Sequence, residues 1–125
     1  MLGLNNFSSF ISKKRKEKKM SLREFSRRIG ISPEYLSKIE NELRSAPKDD
    51  TLEKMADKLG LNIDEREMLF DLAADSKPYL SLASDLLLYI KQNKSIHKAL
   101  RLAKRCDADE EDWPNFIDFL SEKYL

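Results

Sequence analysis

Valine is missing from this chain altogether, and glycine (three), proline (four), cysteine (one) and histidine (one) are sparse among its 125 residues. Each shortage excludes something. A single cysteine, Cys106, forbids an intrachain disulfide, and one cysteine with one histidine supplies too few ligands for a zinc site. Three scattered glycines cannot build a phosphate-cradling loop. Cys106 and His97 lie nine residues apart, about two and a half turns of helix, so a straight helix cannot fold them into a nucleophile–base pair. No catalytic residue, metal or cofactor is therefore expected, and no enzymatic activity. Cys106 reads as a small buried or half-buried thiol rather than a redox switch. The longest apolar-looking run, Tyr79 to Ile90, is broken by Asp85 and is too short to cross a bilayer. No secretory signal precedes the first charges. A cytoplasmic protein without membrane contact is the expectation.

What is present is charge and helix-forming residues. The chain is 36% charged and 41% hydrophobic, enough to bury a core of one or two small domains and stay in solution. Leu, Lys, Glu, Asp and Ser dominate, a usage that favours helices over strands. The net charge of +1 hides an asymmetry: residues 1–48 carry 12 Lys/Arg against 5 Asp/Glu (+7), and residues 49–125 carry 11 against 17 (−6). A basic N-terminal third suits a polyanion such as nucleic acid, although a lysine run such as KKRKEKK also serves as a solvated helix face.

Apolar spacing and capping residues predict eight helices and no strand. Phe7, Phe10 and Ile11 mark a first helix over about 7–18. Ser21 and Glu24 form a capping-box pattern opening a second, which Gly30 ends near Ile29. Ser32 and Pro33 open a third, running to about Glu42. Asp50 or Thr51 caps a fourth, with Leu52, Met55, Ala56 and Leu59 inward and Gly60 at its end. Asn62 or Asp64 begins a fifth, with Met68, Leu69 and Leu72 inward. The expected domain boundary is Asp75-Ser-Lys-Pro78. Beyond it, Leu82, Leu86 and Ile90 mark a sixth helix. Ser95 caps a seventh, with Ile96, Ala99, Leu100 and Ala103 on one face. An eighth begins near Glu111, with Trp113, Phe116, Ile117 and Leu120 inward and Pro114 in its first turn.

The second and third helices, joined by a tight turn at Gly30, have the pattern of a helix-turn-helix. Leu22, Phe25, Ile29, Ile31, Leu36 and Ile39 all fall inward, and Ser26 is small where the third helix must cross the second. An ordinary helical hairpin would not need both the turn glycine and the small residue at the crossing. The stretch SLREFSRRIGISPEYLSKIENELR, Ser21 to Arg44, resembles the DNA-binding domain of phage-repressor-like regulators, the Xre or lambda-repressor/Cro class, and the likeness covers about residues 5–75. The tail, with ALRLAK, an acidic run and WPNFIDFL, resembles C-terminal segments of some bacterial Xre-type regulators. The implied architecture is all-α: a five-helix DNA-binding domain over 1–75 and a small three-helix module over 76–125.

The resemblance implies roles for individual residues. The third helix would enter the major groove of double-stranded DNA with Pro33, Glu34, Tyr35 and Lys38 on base edges. Lys38 could donate to guanine O6 and N7, and Pro33 or Tyr35 could touch a thymine methyl. Glu34 departs from the more usual Gln or Ser; it either accepts from cytosine N4 or pairs with Lys38 one turn on. Phosphate contacts would come from Arg23, Ser32, Arg44, Ser45 and Lys48, with Arg27 and Arg28 contributing through their field. Arg15 on the first helix would meet Glu40 late in the third as a structural ion pair.

The C-terminal helices carry more apolar residues than one inward stripe each requires, among them Leu87, Leu88, Leu102 and Phe119. They could pack on the first domain or make a homodimer interface, with Leu88, Leu102, Trp113 and Phe119 as its candidates. Dimers read palindromic sites. The expected function is a sequence-specific DNA-binding transcriptional regulator, a repressor acting as a dimer. The alternative is an antitoxin-like or adaptor protein whose C-terminal helices bind another protein. No site for a small-molecule ligand is evident.

Overall fold

A computed structural model describes residues 6–125. Among these residues the chain is all-helical: α1 (Phe7–Glu17), α2 (Leu22–Ile29), α3 (Pro33–Glu40), α4 (Asp49–Lys58), α5 (Ile63–Asp75), α6 (Ser84–Gln92), α7 (Lys94–Arg105) and α8 (Asp112–Tyr124). They divide into two compact units, one up to residue 87 and one over 88–125, with the division inside α6.

The first unit is built on local signals. Asn6, Ser21, Ser32 and Asn62 each accept a backbone N–H from the first turn of the helix they precede, which satisfies a donor that the helix leaves free. The ends are equally regular. Lys19, Gly30, Glu42 and Gly60 all take positive φ, between 57° and 77°. After each, the next residue's N–H reaches back five positions: Met20 to Arg15, Ile31 to Ser26, Leu43 to Lys38 and Leu61 to Ala56. This is the Schellman termination, which glycine enters without a Cβ penalty and which Lys19 and Glu42 enter at a cost of about 1–2 kcal/mol.

Five helices bury one cluster. Phe7, Phe10 and Ile11 from α1 meet Phe25 and Ile29 from α2, Leu36 and Ile39 from α3, Leu52, Met55 and Leu59 from α4, and Leu69 and Phe70 from α5. Side chains of this size contribute about 1.5–3 kcal/mol each when fully buried. Ser26 is 1% exposed where α2 and α3 pack, and its hydroxyl donates back to the Arg23 carbonyl at 2.9 Å. Arg15 and Glu40 pair as expected, at 2.9 and 3.0 Å, and Arg15 Nη1 also donates to the Met20 carbonyl. The Ser8 hydroxyl donates to the Ile39 carbonyl near the end of α3. Ser76 donates to the Ala73 carbonyl and accepts from the Ala46 N–H, while Lys77 donates to the Ala46 carbonyl, so the end of α5 holds the loop after α3. Ala83 also joins the buried cluster.

Several expectations are corrected. At α2 only half of the capping box forms: Ser21 accepts from Glu24 N–H, but the Glu24 carboxylate is drawn to Arg27 and Arg28. The α3 helix stops at Glu40 rather than Glu42, because Glu42 adopts the left-handed turn. The N-cap of α4 is Lys48, not Asp50 or Thr51. Thr51 faces the core, and Asp49 and Asp50 sit in the first turn, where the helix dipole favours them. On α5 Met68 turns outward and Phe70 inward. Asn93, not Ser95, precedes α7. Cys106 is exposed at the end of α7 rather than half-buried.

The largest correction concerns the second unit. No residue of α6, α7 or α8 is buried. Trp113, Phe116, Ile117 and Leu120, expected inward, are 38–60% exposed. Their spacing makes a real amphipathic helix, with Pro114 in the first turn, but three short helices enclose too little volume to bury an apolar face on their own.

Candidate nucleic-acid interface

The α2–turn–α3 segment presents one end of α3 to solvent. Leu36 and Ile39 fix its inner side in the core. The opposite side, by helical periodicity, carries Glu34 and Lys38, both exposed, with Pro33 and Tyr35 half-buried at its start. Ser32 is exposed and caps α3, its hydroxyl accepting from Tyr35 N–H at 3.1 Å. Glu34 and Lys38 make no ion pair with each other. Each is free to meet a ligand, and the helical i,i+4 alternative for Glu34 is not realised.

The phosphate candidates differ in exposure. Arg23, Arg44 and Lys48 are exposed and Ser45 is half-buried. Arg44 lies over the Tyr35 ring, 5.6 Å from its centroid, so a residue expected on phosphate and one expected on bases are in contact. Sequence reasoning missed this relationship: nine residues and a helix end separate the two, and no periodicity links them. Among the described residues Arg23, Lys38, Arg44 and Lys48 form no ion pair, whereas Arg27 and Arg28 are both engaged by Glu24. Those two arginines hold the Glu24 carboxyl below its ordinary value. The charge of Arg27 and Arg28 is thus partly offset within α2, and the four uncommitted cations are the stronger source of positive field.

The remaining features of this unit are structural. An open cleft of about 520 Å³ runs past Phe7, Leu43, Arg44, Leu72 and Asp75. Among the described residues no cluster of histidine, cysteine and carboxylates could hold a metal ion, and no helix is long and apolar enough to cross a membrane. The four dimer candidates, Leu88, Leu102, Trp113 and Phe119, are all exposed in the second unit, at 41–57%.

Residues 11–66 match the family model described as Helix-turn-helix. Among solved structures, a chain of one described as "SINR PROTEIN/SINI PROTEIN COMPLEX" is similar at 24% identity, covering 98% of this chain and 97% of that chain, with a TM-score of 0.47. No curated protein matches the chain. With α2, the Gly30 turn and α3 lying inside the matched segment, residues 11–66 are similar to helix-turn-helix domains.

Proposed function

We propose that this chain is a sequence-specific transcriptional regulator that represses by occupying a palindromic operator as a homodimer, and that it has no enzymatic activity. The observation that carries the reading is the exposed start of α3, where Glu34 and Lys38 are unpaired and Tyr35 lies under Arg44. A recognition helix in the major groove reads bases with its N-terminal residues, here Pro33, Glu34, Tyr35 and Lys38. Arg23, Ser32, Arg44, Ser45 and Lys48 hold phosphates and set the register.

Dimerisation follows from two considerations. One recognition helix reads only a few base pairs, and a single small domain buries too little DNA surface for a tight specific complex. The second unit leaves Leu88, Leu102, Trp113 and Phe119 each exposed, apolar area suited to a twin subunit. Selection of bound sequences from random double-stranded DNA tests the reading. An enriched inverted repeat, with half-site centres about 10 base pairs apart, supports it; no enrichment at physiological salt sinks it.

The same exposed apolar surface favours one rival: an antitoxin-like or adaptor protein that holds another protein through its C-terminal helices. Full-length chain that stays monomeric while co-purifying with the product of a neighbouring gene would bring this reading forward.

A further inference from the structure

The charge of the second unit is segregated. Residues 88–125 hold seven Lys/Arg and seven Asp/Glu, so the unit is neutral, and the excess of acid in the C-terminal half lies in residues 49–87. Within the unit, 88–105 carries six of the seven cations and no acid, and 107–125 carries all seven acids and one cation. The cations are ordered on α7. At 100° per residue, Lys94, Lys98, Arg101, Lys104 and Arg105, with the neutral His97 among them, fall within an arc of about 120° along roughly 16 Å of helix. Ile96, Ala99, Leu100 and Ala103 occupy the opposite side. All six basic-stripe residues are exposed, and among the described residues none forms an ion pair. The acids that follow, Asp107, Asp109, Glu110, Glu111 and Asp112, are also exposed and also without an ion pair. One chain therefore carries two complementary surfaces, neither of them in an ion pair among the described residues.

A duplex or an anionic lipid surface is a poor occupant for the stripe. It would meet five acids beginning two residues beyond Arg105, within about one Debye length of 8–10 Å. A second copy of the same unit offers the matching charge. In a two-fold contact, whatever residue i does to residue j is repeated as j to i, so one basic stripe on one acidic segment makes two such contacts at once.

We infer that two copies pair through residues 88–125 with the α7 stripe of each protomer on the acidic segment after α7 of its partner. This rests on the homodimer reading above and adds to it what sets the register: apolar residues such as Leu102 and Phe119 supply contact area, and the charges decide the orientation.

The test uses full-length chain and two charge-reversed variants, Arg101→Glu with Lys104→Glu, and Glu110→Lys with Glu111→Lys. Asp109 is left unchanged because its carboxylate accepts the Glu111 and Asp112 N–H groups and orders the turn before α8. Self-association is measured by analytical ultracentrifugation at about 50 and 500 mM NaCl, with circular dichroism to verify helicity. The wild-type dimer should weaken at least about tenfold at the higher salt. Each variant alone should weaken at least about tenfold at the lower salt, and an equimolar mixture should recover a heterodimer, since the reversed stripe of one member meets the reversed segment of the other while their unchanged surfaces match as in the wild type. If reversal unfolds α7, the pair Arg101→Gln with Lys104→Gln carries the test, with an intermediate loss expected. Variants that dimerise like the wild type, or a mixture that recovers nothing, overturn the charge register and leave the dimer standing. A wild-type chain monomeric at both salts overturns the dimer reading and this inference with it. If reversal on α7 leaves the dimer intact but weakens DNA binding, the stripe holds phosphates and the inference is wrong.

Discussion

Arg15 and Glu40 join α1 to α3 by two parallel hydrogen bonds, Nε to Oε2 at 2.9 Å and Nη2 to Oε1 at 3.0 Å, with both side chains nearly out of solvent. The pair fixes the C-terminal end of α3, while Ser32 caps the other end. Removing one partner strands a charge in the interior. Glu40→Ala should destabilise the domain by about 3–5 kcal/mol, and replacing both residues with apolar ones should recover much of that loss. Chemical denaturation of the single and double variants measures this. Strictly additive losses would show that the two side chains do not support each other.

The dependence of stability on pH follows from a second α1 contact. Lys14 donates to Glu65, and Asn62 N–H donates to the other carboxylate oxygen. These two donors hold the Glu65 carboxyl below its ordinary 4.5, and Glu65 in turn holds the Lys14 ammonium above 10.5. A lowered carboxyl stabilises the fold above its unfolded value and loses that contribution as pH falls through the folded one. A raised ammonium stabilises below 10.5 and loses its share as pH rises beyond it. The melting temperature should therefore form a plateau from about pH 5 to pH 10, and Glu65→Gln should lower the plateau and flatten its acid edge. An acid edge unchanged in Glu65→Gln would remove Glu65 from the account.

Asp71 has the opposite sign. Partial burial, with Asp85 and Asp75 nearby, pushes its carboxyl up from 3.8. Its ionised form therefore costs the fold stability at neutral pH and ceases to do so as pH falls and the group protonates. Asp71→Asn should raise the melting temperature at pH 7, with a gain that shrinks below about pH 4. A gain independent of pH would point to packing rather than charge.

The sequence was legible where the determinants are local. Gly30 at positive φ, Ser32 and Pro33 at the start of α3, and the inward set Phe25, Ile29, Leu36 and Ile39 are all visible within one or two helical turns. It misled where a distant or competing partner decides. Glu24 left its capping position because two arginines on the next turn offer charged donors. Thr51 lost its capping role to the core. The α8 stripe has the spacing of an inward face, but periodicity identifies an apolar face and says nothing of what covers it. At the candidate interface, the residues proposed for base contact are those the resemblance implies, and it does not imply the Arg44–Tyr35 stack, because a loop carries Arg44 back over α3.

The end of the first unit gives a prediction about truncation. The Ser76 and Lys77 side chains together make three hydrogen bonds to Ala46 and Ala73, and Ala83 is buried in the core. A fragment of residues 1–87 should be helical, cooperatively folded and monomeric, with operator affinity at least about tenfold below the full-length dimer. A fragment ending at residue 75 should be less stable than the 1–87 fragment by about 1–3 kcal/mol. Light scattering and thermal melts distinguish these outcomes. A 1–87 fragment that still dimerises would move the interface into the first unit.

Phosphate and base contacts should separate in their salt dependence. Lys48→Ala should weaken all DNA sequences alike and lower the salt slope by about one unit. Arg44→Ala should do the same and also loosen the Tyr35 ring beneath it. Arg44→Ala and Tyr35→Ala should therefore be non-additive, by about 0.5–1 kcal/mol. Titrations across a salt series would contradict this if Lys48→Ala changed the preferred base or the Arg44–Tyr35 pair proved additive.

The central claim is that the exposed start of α3 reads sequence, and parallel selections from random DNA with the wild-type chain and with Lys38→Ala test it most directly. The wild type should enrich an inverted repeat, and Lys38→Ala should enrich the same repeat with preference lost at one symmetry-related position in each half-site, a loss of about 1–3 kcal/mol per base pair. An identical motif from both proteins, or uniform weakening without any change in the motif, would show that α3 does not read bases through Lys38 and would contradict the account.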